Sequence, residues 1–126
     1  MKLHYLNGLL HTEFELRYQD KKAVITNIIV DTGAARTLIS ADAVFDIGIF
    51  ATPVDELTIM SGIGGDSFAF RKIVDGLSFG TFSISNASID FGHLDEGFGI
   101  NGIIGLDILV PGKFIINLDE MYISRK

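Results

Sequence analysis

From residue 10 onward, apolar and polar positions alternate. Leu10, Thr12, Phe14, Leu16 and Tyr18 fall on one side of an extended chain, and His11, Glu13, Glu15 and Arg17 fall on the other. Period two predicts a half-buried strand over residues 10–18. Residues 19–22, Gln-Asp-Lys-Lys, form a polar turn, and 23–30 resume as a strand, so the pair reads as a hairpin. That second strand ends in Ile28-Ile29-Val30, a β-branched run suited to a covered pleated surface. It runs directly into Asp31-Thr32-Gly33-Ala34, where glycine permits a tight turn or a close backbone approach.

Beyond the glycine, residues 36–40 predict a short strand. Ser40 suits the N-cap of a helix over 41–47, with Gly48 as its stop. Residues 57–61 and 67–71 predict two extended arms around Gly62-Ile63-Gly64-Gly65-Asp66, a hairpin with a glycine-rich tip. Two further strands are expected at 72–79 and 82–91. The broken alternation of Ile84, Ala87 and Ile89 predicts a bulge near Asn86. Residues 92–102 read as a loop. Asn101-Gly102-Ile103-Ile104-Gly105 then repeats the earlier pattern of apolar residues running into glycine, without the acid. A short helix over 106–110, ended by Pro111-Gly112, and strands at 114–118 and 121–124 complete a mostly β chain.

Composition narrows the possibilities. At 126 residues, with 48% hydrophobic and 21% charged positions, the chain fits one globular domain spanning 1–126. A net charge of −6 argues against a nucleic-acid partner, because phosphate binding needs a basic face. The absence of cysteine removes disulfides, thiolate metal sites and a cysteine nucleophile. No apolar run approaches the length that spans a bilayer, and the N-terminal residues lack the apolar core of a signal peptide, so a cytoplasmic location is expected.

The candidate chemistry begins with Asp31. A carboxylate at the end of a buried strand is costly unless it is hydrogen-bonded or shared. Asp-x-Gly also starts ordinary turns, so the tripeptide alone leaves both readings open. The glycine tip at 62–65 reads either as a surface hairpin or as a mobile cover over a cleft. A phosphate-binding loop is set aside, because neither a lysine nor a clear helix follows. His93, Asp95 and Glu96 match no ligand cage, and no metal is expected.

Taken in order, Asp31-Thr32-Gly33-Ala34 after an apolar strand, the glycine-tipped hairpin, and Ile103-Ile104-Gly105-Leu106-Asp107-Ile108-Leu109 resemble the retropepsin-like aspartic proteases. The form of the last stretch is similar to cellular and bacterial members, such as the protease domain of DNA-damage-inducible proteins. The resemblance covers nearly the whole chain. It implies a closed β-barrel-like acid protease fold with one or two short helices. It also implies a homodimeric aspartic endopeptidase, with no cofactor, in which two Asp31 carboxylates, one per chain, activate a water against a peptide or protein substrate. By the same resemblance Thr32, Gly33, Ile104 and Gly105 support the active site, while Gly33, Ala34, Ile63, Gly64 and Gly65 contact substrate. A non-catalytic dimeric peptide-binding module keeping the fold is the alternative. The chain departs from viral members, where an acid after Asp-Thr-Gly-Ala pairs with an Arg after the late glycine. Here Ala35, Arg36 and Leu106 occupy those places. Apolar local packing is therefore expected, with Arg36 solvated or, failing that, favouring acidic substrate side chains.

Overall fold

The computed structural model describes residues 1–62, 65–94 and 99–126. Strand β1 (His4–Leu6) turns through Asn7-Gly8 into β2 (Leu9–Tyr18). Both turn residues have positive φ, 53° and 78°, the geometry of a two-residue hairpin turn and the reason for Asn-Gly there. The turn after β2 is equally tight, with Gln19 and Asp20 at positive φ and Tyr18 paired to Lys21. Strand β3 (Lys21–Val30) then delivers Asp31. The register of β2 on β3 shifts between Thr12 and Phe14, where Asn27 takes φ 54°.

After the Asp31 loop come β4 (Leu38–Ser40), helix α1 (Ala41–Val44) and a 3₁₀ turn over Phe45–Ile47. The expected single helix is thus split in two, and the Ser40 side chain makes no capping bond. Gly48 does end it, at φ 88°, donating its N–H to the Phe45 carbonyl. Strand β5 (Glu56–Gly62) pairs with β6 (Gly65–Phe79). The two strands expected at 67–71 and 72–79 are one continuous strand. It pairs with β5 along its first half and with β7 (Phe82–Gly92) from Ala69 to Phe79. The β6–β7 register is constant on both sides of Asn86, so no bulge forms there; Asn86 absorbs the irregularity as a positive φ of 54°. Strand β8 (Gly102–Ile104), helix α2 (Leu106–Leu109), β9 (Phe114–Asn117) and β10 (Tyr122–Arg125) follow.

The main sheet runs β1-β2-β3-β8-β4-β7-β6-β5, and β2 also pairs with β6. Six strands therefore close into a ring, with β1 and β5 as appendages. Closure removes most of the free edge that an open sheet would expose. Inside lie Leu16, Ile28, Ile39, Val74, Leu77, Phe79, Ile89, Phe91 and Ile104, each almost wholly buried. Phe70 stacks on Phe91 with ring centroids 5.6 Å apart. Strands β9 and β10 form a separate hairpin that captures the chain start. The Met1 ammonium donates to the Ile123 carbonyl at 2.7 Å, and Leu3 N–H donates to the Met121 carbonyl at 2.8 Å.

The three-residue strand β8 organises the centre. It lies parallel to β3 on one side and antiparallel to β4 on the other. Gly102 sits where a Cβ would come within 2.8 Å of Ile28 Cδ1 and 2.9 Å of the Leu38 carbonyl oxygen. Its φ is not positive, so space rather than backbone conformation requires glycine there.

Candidate active site

Asp31 stands at the C-terminal end of β3, half-buried. Its own N–H donates to the Ile104 carbonyl on β8 at 3.0 Å, extending the parallel ladder by one step. The loop then folds back on itself. Gly33 N–H donates to Asp31 Oδ1 at 2.9 Å, and Ala34 N–H donates to the Asp31 carbonyl at 3.2 Å. One carboxylate oxygen is thus held by a backbone donor, which fixes the side chain's direction. Thr32 and Gly33 are exposed, and Ala34 is half-buried.

The far side of the loop is stitched to the late segment. Leu106 N–H donates to the Ala34 carbonyl at 2.9 Å. Gly105 is buried, and a Cβ there would lie 2.7 Å from the Ala34 carbonyl oxygen and 3.0 Å from Arg36 backbone atoms. Ile104 is fully buried on the core side. Ile104 and Gly105 therefore lie directly against the Asp31 loop. Of the hairpin residues, Gly65 pairs with Gly62 at the far end of the β5–β6 ribbon, whereas Ile63 and Gly64 lie outside the described residues. His93 is exposed, and Asp95 and Glu96 also lie outside the described residues.

Two corrections follow at the positions that depart from viral members. The packing beneath the loop is polar, not apolar. Thr37 is completely buried; its N–H reaches both Asp107 carboxylate oxygens at 3.0 Å, and its hydroxyl donates to Asp107 Oδ1 at 2.7 Å. The same hydroxyl accepts from Gly105 N–H at 3.0 Å. Asp107, on the first turn of α2, thus clamps the loop to the late glycine. The only sequence signal for this was a threonine six residues after Asp31 and an acid two residues after Gly105, a pairing that spans 70 residues.

Arg36, the second correction, is not free in solvent. Its Nε and Nη2 fork onto Asp90 at 3.1 and 3.4 Å, and Nη2 also donates to the Ser88 carbonyl at 3.0 Å. Arg71 forks onto the same carboxylate at 2.7 and 3.3 Å. Burial alone would raise the Asp90 pKa, but hydrogen bonds and charge from Arg71 and Arg36 outweigh it and hold the group below the ordinary value of 3.8.

A search against family models finds the aspartyl protease model matching residues 15–108, about three-quarters of the chain. The chain belongs to the aspartyl protease family. The match contains the Asp31 loop, the β5–β6 hairpin and the Ile104-Gly105 segment. Among solved structures, the chain is similar to a retropepsin-like aspartic protease from Rickettsia conorii, with a TM-score of 0.67 and 18% identity, covering 94% of this chain and 83% of that one. At that identity the likeness describes the fold, which is retropepsin-like. No curated protein matches the sequence.

Proposed function

We propose that this aspartyl protease family member is an aspartic endopeptidase that works as a homodimer. The observation that carries the reading is the presentation of Asp31. A carboxylate emerges from the buried end of β3 on a loop fixed at both ends, by Ile104 on β8 and by the Thr37–Asp107 clamp. Among the described residues, the acid bonded to that loop, Asp107, is committed to Thr37. A second chain is the economical source of a second carboxylate, and a twofold dimer would bring like loops face to face.

Two carboxylates held close cannot both ionise cheaply, so the pair shares one proton. The ionised member takes a proton from a water, whose oxygen attacks the peptide carbonyl. The protonated member supports the developing oxyanion, and its proton later goes to the leaving amine. Thr32 is assigned to the contact between the two loops, Gly33 and Ala34 to the substrate backbone, and Ile63, Gly64 and Gly65 to the cover over it. Leu57, Ile59 and Phe68 leave apolar surface exposed on the hairpin, as a substrate-covering element would.

Activity on a peptide library, compared between wild type and Asp31→Asn, tests the reading. Hydrolysis that disappears in the variant supports it. Hydrolysis that persists unchanged, or a wild type without activity at any concentration, removes it.

A further inference from the structure

Register places the Arg36–Asp90–Arg71 cluster on the same side of the sheet as Asp31. Paired residues on neighbouring strands share a face, and residues two apart on one strand return to it. Reading across the sheet, Ile29 pairs with Ile103, Ile103 with Leu38, Leu38 with Asp90, and Asp90 with Arg71. Asp31 lies two residues beyond Ile29. The opposite row, Ile28, Gly102, Ile39, Phe91 and Phe70, faces the core. The cluster is therefore part of the wall leading from the proposed catalytic acid to the root of the β5–β6 hairpin. With strands about 4.8 Å apart, Arg36, two residues before β4, which lies two strand positions from β3, stands roughly 10 Å from Asp31. That is about three residues of an extended peptide.

Among the described residues the formal charges of this wall cancel, Arg36 and Arg71 against Asp90 and Glu56, but of the two acids only Asp90 is buried. Two guanidiniums converge on one buried carboxylate, and their side chains remain 36% and 25% exposed. Among the described residues, the other acid at these arginines, Glu56, is 66% exposed and only approaches Arg71, at 3.6 Å; water screens such a contact. The protein as a whole carries −6. Two partly exposed guanidiniums at the wall repel basic side chains and have donors left for an anionic one.

We infer that Arg36 and Arg71, held in place by Asp90, are specificity-determining residues that select a peptide carrying an acidic side chain within about three residues of the bond over Asp31. Asp90 fixes both forks so that neither arginine spends conformational entropy when substrate arrives. The inference rests on the cleft assigned under the proposed function.

The test reads binding without turnover. Asp31→Asn protein is exposed to a library of extended peptides, and an enriched sequence is remade with Glu, Gln or Lys at each position flanking its centre. Calorimetry on the Asp31→Asn protein should give one position where Glu binds about tenfold more tightly than Gln, and Lys more weakly than both. Adding Arg36→Gln or Arg71→Gln should shrink the Glu-to-Gln ratio towards one. Adding Asp90→Asn should also shrink it, because the forks that pre-set both guanidiniums are weakened, and an unchanged ratio there would count against Asp90 as their positioning group. Equal Glu and Gln affinities at every position, or a preference that survives both arginine changes, overturns the inference. Absence of binding by any peptide overturns it together with the cleft. A Glu preference in a protein whose wild type never hydrolyses peptide leaves the inference standing and removes the protease reading.

Discussion

Thr37 owes both of its buried donors to one carboxylate. Replacing Asp107 with Ala leaves a backbone N–H and a hydroxyl unpaired in the interior, at a cost of about 3 kcal/mol. Asp107→Asn keeps one acceptor and should cost about 1 kcal/mol. Urea unfolding of the two variants measures the difference, and equal midpoints for Asp107→Ala and wild type would refute the clamp. Asp31→Asn behaves differently: its amide oxygen can still accept from Gly33 N–H, so unfolding should move little while hydrolysis is lost. Asp90 brings a pH signature. Its folded pKa lies below the ordinary value, so its stabilising contribution is complete above the usual carboxylate range and disappears as pH falls through the lowered folded value. Wild type should therefore exceed Asp90→Asn in stability by a constant margin from about pH 5 to 8, and the margin should narrow below about pH 4. Unfolding midpoints over a pH series check this, and a margin that instead widened on acidification would contradict the ion pairs.

Strand β8 is the element on which the site depends most, and it is bounded by glycines chosen for space. In Gly105→Ala the new methyl meets the Ala34 carbonyl, so the Asp31 loop must shift. A displacement of this kind is expected to reduce kcat at least about tenfold. In Gly102→Ala the methyl meets Ile28 and the Leu38 carbonyl, costing about 1–3 kcal/mol through overpacking. Steady-state kinetics and denaturation on the same preparations separate the two effects, and a fully active Gly105→Ala would show that the loop tolerates movement. At this scale the sequence was legible wherever the signal was local. Alternation located β2, the polar turn after it and the resumed apolar run located β3, and the passage into Asp31-Thr32-Gly33 located its end. What escaped was non-local. Strand β1 is all exposed and has no apolar periodicity, so only its Asn-Gly turn could have announced it. The joining of residues 67–79 into one strand reflects a change of partners along β6 rather than any change of composition. The Arg36–Asp90 pair spans 54 residues and became visible only once β4 and β7 were paired.

For the whole molecule, the decisive property is the state of association. If two Asp31 loops form one site, specific activity falls on dilution below the dimer dissociation constant, and sedimentation over the same series should follow it. Wild-type chains equilibrated with a ninefold excess of Asp31→Asn chains should retain about a tenth of their activity, because most wild-type chains then sit opposite an amide. A monomer with full activity would require a second acid within the chain. The insertion of β8 between β3 and β4 has a consequence in time. Its partners were made some 65 to 75 residues earlier, so the contact that accepts the Asp31 N–H is among the most distant in the chain. Such closures are slow, because loop entropy is lost before any pairing is gained. A growing polypeptide can therefore fold its early hairpins and still lack a fixed Asp31 loop until residues 102–107 have emerged. By this order of assembly the loop that carries Asp31 acquires its fixed geometry late.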